Sequence, residues 1–312
     1  MQPPGDDAAL HEIAALVLPG SGRPSVERAE RGVSTPVYRI RRAGTTFYLR
    51  LAEGPAASLT PEVLVHNRLR AAGVRVPAVV HFEPFNRALG RSVMVTTEIP
   101  GTSIDRHHRG VDIGQVLVAA GRDLAIVNGI AVAGFGWIRR DRPPAAPLAA
   151  ALPSLRAFAL DNLDAHLAAL RPDLTAAEIR AVRRVVARGD AWLDADRAIL
   201  AHGDLDVSHI FHVDGRYTGM IDFGEIRGAD PLYDLGHVAL HDGETIPEPA
   251  LPHLLTGYGE AAPLPADHEL RIRFWSLLIG VRALARRAGR PWSADQAHLA
   301  GAIRAILRTP PT

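Results

Sequence analysis

The chain has 312 residues, with 35 basic and 34 acidic side chains and a formal charge of +1, a balance without the basic footprint of a nucleic-acid binder. It contains no cysteine, which excludes disulfides, thiolate catalysis and zinc–thiolate sites. Its Lys+Arg residues are all arginine, so any role that usually falls to lysine must be filled by arginine.

At the N-terminus, Met1 to Glu12 lack the basic start and apolar run of a signal peptide, and no apolar stretch approaches the length that spans a bilayer. A soluble cytoplasmic protein with no membrane partner is expected. Two β-type runs, Pro36 to Arg41 and Thr45 to Leu51, flank Arg42-Ala43-Gly44 and predict a hairpin. A helix follows, with Thr60 as N-cap, Pro61 at its first position, Glu62 in its first turn and a stop at Gly73. Val74 to Phe82 and Ser92 to Ile99 supply two more strands. The composition shifts near Pro100-Gly101, after which Asp112 to Asn128 and Leu152 to Leu193 read as helical. A Pro-rich loop separates these two regions at residues 142–147, and an apolar-striped helix around His268 to Ala288 closes the chain.

The stretch from Leu200 to Leu240 carries the chemistry. It contains His202-Gly203-Asp204 and Ile221-Asp222-Phe223, with a predicted hairpin between them: runs His209 to Val213 and Arg216 to Asp222 flank Asp214-Gly215, a pair suited to a two-residue type I′ turn. Counting back from that turn sets His209 opposite Met220, and Asp222 becomes a same-face diagonal neighbour of His209 at roughly 7–8 Å between α-carbons. Both side chains could then reach one metal ion, with Asp204 close by in the entering loop. Phosphoryl transfer needs divalent ions on the phosphates and a carboxylate that orients the attacking hydroxyl and accepts its proton. Asp204 fits the catalytic role, and His209 and Asp222 fit the metal-binding one.

With these motifs the chain resembles the aminoglycoside phosphotransferase family, relatives of protein kinases that include antibiotic kinases and metabolic kinases such as those for choline and homoserine. The family pattern of His-Gly-Asp, a later Asn and a following Ile-Asp-Phe/Trp is matched by His202, Gly203, Asp204, Ile221, Asp222 and Phe223. His209 stands where most members have a metal-binding asparagine, a variant in which the chain resembles macrolide and gentamicin-type kinases. The resemblance implies an α+β, bilobal, protein-kinase-like fold. A small N-terminal β-sheet lobe with one helix, residues 1–100, would hold the nucleotide, and a larger, mostly helical C-terminal lobe, residues 101–312, would hold the catalytic and acceptor sites. It further implies ATP or GTP as co-substrate with Mg²⁺, Mn²⁺ being an alternative. On the nucleotide it would place Arg50 in the usual lysine position with Glu62 as partner, Ser34 and Thr35 in the loop over the phosphates, and Glu98 and Ile99 as a hinge acting through main-chain atoms. Asp230 and Asp234, in Gly228-Ala229-Asp230-Pro231-Leu232-Tyr233-Asp234-Leu235, would support the catalytic loop.

From Ala201 to Leu270 there are thirteen acidic residues against only Arg216 and Arg227, an asymmetry that suits a cationic small-molecule substrate. Asp206, Glu225, Asp242 and Glu244 are the substrate-binding candidates. Phe274, Trp275 and Leu278 either line an acceptor cleft or belong to the core. The leading expectation is an antibiotic O-phosphotransferase acting on aminoglycosides. The alternatives are a macrolide phosphotransferase, a metabolic amino-alcohol or sugar kinase, and a nucleotide-binding pseudokinase.

Overall fold

The computed structural model describes residues 4–18, 20–29, 36–105, 110–143 and 146–308. They form two compact units: Met1–Pro100 with Arg139–Ala146 and Gly219–Ile221, and the remainder of the chain.

The first unit begins with helix α1 (Pro4–Val17), followed by strands β1 (Ser25–Arg28), β2 (Val37–Arg42) and β3 (Thr45–Leu51), helix α2 (Thr60–Ala71), and strands β4 (Val79–Asn86) and β5 (Arg91–Thr97). The strands pair antiparallel in the order β1-β2-β3-β5-β4. Period-two alternation sorts β3 into two faces: Phe47, Leu49 and Leu51 are buried, and Tyr48 and Arg50 point the other way. Leu10, Ile13 and Ala14 of α1, at helical spacing, pack into the same core cluster as the buried set. Each large apolar side chain buried there contributes roughly 1.5–3 kcal/mol. Arg50 lies opposite Met94, which packs with Leu59 and Val63 at the start of α2.

The hairpin at residues 42–45 forms as expected, with Ala43 and Gly44 both at positive φ. Helix α2 begins one residue away from its predicted cap. Leu59 is the N-cap and offers no side-chain bond, and the Ser58 hydroxyl instead accepts the Thr60 N–H at 3.1 Å.

After Pro100 the elements in chain order are β6 (Thr102–Ser103), α3 (Ile113–Val127), β7 (Ala131–Val132), β8 (Phe135–Ile138), β9 (Ala150–Leu152), α4 (Leu155–Ala159), α5 (Leu163–Ala169), α6 (Ala176–Arg188), β10 (Ala198–Ala201), β11 (Ile210–Val213), β12 (Arg216–Met220), β13 (Arg227–Ala229), α7 (Tyr233–His241), α8 (Leu251–Ala261), α9 (His268–Ala285) and α10 (Ala294–Arg308). The helices predicted at 112–128 and 268–288 are α3, capped by the Asp112 carboxylate on Gly114 N–H at 3.0 Å, and α9. The helical stretch predicted at 152–193 is broken into three helices and a final 3₁₀ turn, Asp190–Asp194. Strands β7-β10-β13-β8-β9 make one sheet, and β12-β11-β6 make a second.

Phe274, Trp275 and Leu278 are core residues, 1%, 2% and 4% exposed, and so do not line a cleft. Trp275 lies 5.4 Å from Tyr233 and Phe274 lies 5.5 Å from Trp192 between ring centres, spacings at which aromatic pairs add to burial energy. The first pair braces α9 against the start of α7, and the second braces it against the 3₁₀ turn Asp190–Asp194.

Candidate active site

A buried carboxylate anchors the start of the loop from β10 to β11. Asp234, fully buried on α7, accepts the backbone N–H of His202 at 2.8 Å, that of Gly203 at 2.9 Å and the Asn128 side-chain amide at 3.1 Å. The same amide also donates to the Leu200 carbonyl at 2.9 Å, tying the end of α3 to the strand that feeds the loop. Three donors on one carboxylate in a dry site form a network whose loss is costly, because the donors would stay buried without partners. Asp234→Ala is expected to cost about 3 kcal/mol. That loss should appear as a fall of several degrees in Tm, and an unchanged Tm would show that the loop does not depend on this anchor.

Gly203 makes the turn possible. Its φ is +90°, and a Cβ there would overlap the Glu225 carbonyl oxygen. The next residue, Asp204, thereby presents a carboxylate with half its side-chain surface exposed. His237, one turn along α7 from Asp234, brings Nε2 to 3.3 Å from Asp204 Oδ1 while Nδ1 donates to the Leu205 carbonyl at 3.0 Å. The hydrogen bond from His237 and the charge of that ring hold Asp204 well below the usual carboxylate range, with His209 and His202 adding to the pull against burial.

His209 closes the 3₁₀ turn Val207–His209, ahead of β11 and not within it, and Asp222 follows the end of β12 with φ +68°. The predicted strand register therefore does not bring them together. They meet nonetheless: His209 Nε2 stands 3.9 Å from Asp222 Oδ2. The Asp214-Gly215 turn between β11 and β12 has φ of 47° and 76°, the double positive pattern of a type I′ turn. His209 Nδ1 lies 3.0 Å from the Asp204 carbonyl, which can only accept, so this nitrogen carries the ring proton. Nε2 is on the side facing Asp222, the ring nitrogen through which the imidazole would reach a metal. The buried His202 ring stacks with His209 at 5.8 Å and packs on Phe223 at 4.6 Å, fixing both ends of the motif.

The acidic candidates around this loop have intramolecular partners. Glu225 pairs with Arg227 at 2.8 Å, and burial, opposed by Arg227, raises its pKa. Asp206 accepts Ser208 N–H at 2.8 Å, and Asp242 accepts the amides of Ala250 and Leu251 at 2.7 and 3.3 Å, capping the approach to α8. Glu244 lies between His241 and His298. Asp230 accepts Leu232 N–H at 2.9 Å and pairs with Arg271, supporting the turn into α7.

In the first unit, Glu62 is 1% exposed and is paired with Arg140, which also donates to the Ser58 carbonyl at 3.3 Å. Burial raises the Glu62 pKa, and Arg140 and then Arg50 oppose the rise. Arg50 thus contributes charge to Glu62, but the hydrogen-bonded cation is Arg140. Glu98 lies just beyond β5, its carboxylate 3.4 Å from Arg39 and 3.3 Å from the Tyr48 hydroxyl, and Ile99 is buried. Ser34 and Thr35 lie outside the described residues.

Residues 25–275 match the APH family, described as the phosphotransferase enzyme family. The chain belongs to the phosphotransferase enzyme family. It is a phosphotransferase, and its fold is α+β and protein-kinase-like. No curated protein matches the sequence. Among solved structures, the phosphotransferase is similar to aminoglycoside phosphotransferase APH(4)-Ia, at 16% identity and TM-score 0.70 over 97% of this chain and 98% of that one. A thermostable mutant of that enzyme in ternary complex with ADP and hygromycin B gives 15% identity and TM-score 0.68 over 96% and 98%. A fructosamine-3-kinase candidate from Thermobifida fusca gives 20% identity and TM-score 0.61 over 91% and 94%.

Sequence reasoning missed His237 and Arg140. Neither sits in the motif it serves: His237 reaches Asp204 from 33 positions along the chain, and Arg140 reaches Glu62 across 78 positions. The spacing of His237 from Asp234 on one helix face was the only local signal for the first. The second had none.

Proposed function

We propose that this phosphotransferase moves the γ-phosphoryl group of ATP or GTP onto a hydroxyl of a cationic small molecule of the aminoglycoside type, in the cytoplasm. The observation that carries the reading is the loop anchored by Asp234, which presents Asp204 and leads into His209, whose Nε2 faces Asp222 at the end of β12. Asp204 acts as the base, orienting the acceptor hydroxyl and taking its proton. His209 Nε2 and Asp222 offer a nitrogen and an oxygen to Mg²⁺, or to Mn²⁺, and the donor set fits a divalent ion. A divalent ion held by these two residues would supply positive charge against the phosphates. Arg50, with Glu62 behind it, is assigned to the phosphates, Ser34 and Thr35 to the loop over them, and Glu98 and Ile99 to the base. Asp206 and Glu225 are assigned to the acceptor's ammonium groups.

The neighbour bound to hygromycin B supports an aminoglycoside acceptor, and the fructosamine-3-kinase candidate supports a glycated-amine sugar as the second reading. Both carry an amine beside several hydroxyls. The two are separated by following transfer from γ-labelled ATP and GTP to panels of aminoglycosides, macrolides, amino alcohols and fructosyl-amines. Aminoglycosides are expected to be phosphorylated with the highest kcat/KM. Transfer to macrolides or fructosyl-amines alone would overturn the acceptor assignment, and nucleotide binding with no acceptor phosphorylated would overturn the catalytic reading.

A further inference from the structure

The turn after α7 gathers three ligand-type side chains that the phosphotransfer reaction does not need. His241 is the last residue of α7, Glu244 follows in the turn, and His298 arrives from α10. Their ligand atoms all lie within 4.8 Å of one another. His241 Nδ1 is 2.6 Å from Glu244 Oε2, and His298 Nε2 is 3.5 Å from the same oxygen. The two rings are nearly parallel, 5.9 Å apart at 11°. From these positions we infer that His241, Glu244 and His298 form a binding site for a zinc-type divalent ion.

Two imidazoles and a carboxylate are the donors such ions select, whereas Mg²⁺ prefers an all-oxygen shell. Around a tetrahedral zinc with bonds of about 2.0–2.1 Å, donor atoms stand roughly 3.4 Å apart. The Glu244–His298 separation already has that value, and the Glu244–His241 hydrogen bond has only to lengthen. Binding requires no net loss of a ring proton, but it requires each proton to change nitrogen. His241 Nδ1 donates to Glu244 and His298 Nε2 donates to the Leu240 carbonyl at 3.0 Å, so ligation through these atoms moves each proton to the other ring nitrogen and exchanges the Leu240 bond for the ion.

The site is built as well as spaced. Asp242 ties the turn to Ala250 and Leu251, and Glu244 N–H donates to the His241 carbonyl at 3.0 Å. The three side chains are 24%, 34% and 27% exposed, so an ion and a completing water can enter from solvent. A cavity lined by Asp206, Val207, Val238, His241, Thr245 and Ile246 adjoins it. An ion there would bind α10 to the end of α7 through groups from both helices.

The test is equilibrium dialysis of the full chain against Zn²⁺ in excess Mg²⁺, with Tm recorded in parallel. One zinc per chain is expected to be retained and to raise Tm. His298→Ala and Glu244→Gln should each weaken retention at least about tenfold and abolish the Tm rise, while a change at the exposed His253 should do neither. Glu244→Gln preserves size and hydrogen bonding, so its loss of zinc with an unchanged metal-free Tm separates ligation from folding. Absence of saturable zinc binding would overturn the inference. So would zinc that survives both variants but is lost in Asp222→Ala, since that ion would belong to the phosphotransfer site.

Discussion

Asp204→Ala is expected to lower kcat by about 1,000-fold, or about 4 kcal/mol of barrier, with nucleotide affinity unchanged. The carboxylate stands on the loop side of His237 with half its surface exposed, and it makes no contribution to the anchoring network of Asp234. Its removal should therefore subtract chemistry without unfolding the loop. Because His237 holds its pKa below the ordinary carboxylate range, the charged form is the favoured one. Asp204 then stays ionised as pH falls through the ordinary carboxylate range of about 4, and the acid limb of kcat/KM should lie below that pH or belong to another group. In His237→Ala the lowering influences weaken and burial remains, so the acid limb should move to higher pH. A rate for Asp204→Ala close to wild type would sink the assignment, and identical pH profiles for wild type and His237→Ala would remove His237 from it.

The second large effect is at Asp222. Asp222→Ala should reduce phosphotransfer by about 1,000-fold and raise the Mg²⁺ concentration needed for half-maximal rate, because an unneutralised triphosphate leaves the transferring group's charge uncompensated. His209→Asn should behave differently. It replaces a nitrogen donor by an amide oxygen, which suits Mg²⁺ better, so activity should persist with half-saturation at lower Mg²⁺. Titrating kcat against Mg²⁺ and Mn²⁺ for both variants distinguishes the two roles. Full activity in Asp222→Ala would sink the metal assignment, and a His209→Asn enzyme with an unchanged Mg²⁺ and Mn²⁺ requirement would show that the imidazole is not a ligand.

The parts of the fold and site that could be read in advance are those encoded by neighbours in sequence. Asp214-Gly215 adopts the turn its residue types demand, Asp112 caps α3, and His202 to Asp222 come together through about twenty residues of chain. The predicted strand register failed at His209 because the chain leaves the ladder one residue early, into a 3₁₀ turn that Asp206 caps. Helix α1 was overlooked although Leu10, Ile13, Ala14 and Val17 carry the helical period. The acidic residues read as candidates for a cationic acceptor also have partners within the molecule, among them Arg227, backbone amides and histidines. Most of these partners are close in sequence, Arg227 two positions from Glu225 and His241 three from Glu244, and only His298 arrives from a distant element, α10.

Arg140 bears on the order in which the chain can fold. The smaller unit takes in Arg139–Ala146 and Gly219–Ile221, and its buried Glu62 draws its hydrogen-bonded cation from residue 140. A nascent chain that has emerged only as far as Pro100 has the strands and α2 but lacks that guanidinium, and burying Glu62 would then strand a carboxylate away from water. Although its residues leave the ribosome first, the N-terminal unit cannot be completed until synthesis has passed Ile221, which makes translation of the catalytic hairpin a precondition for finishing the part of the molecule that precedes it.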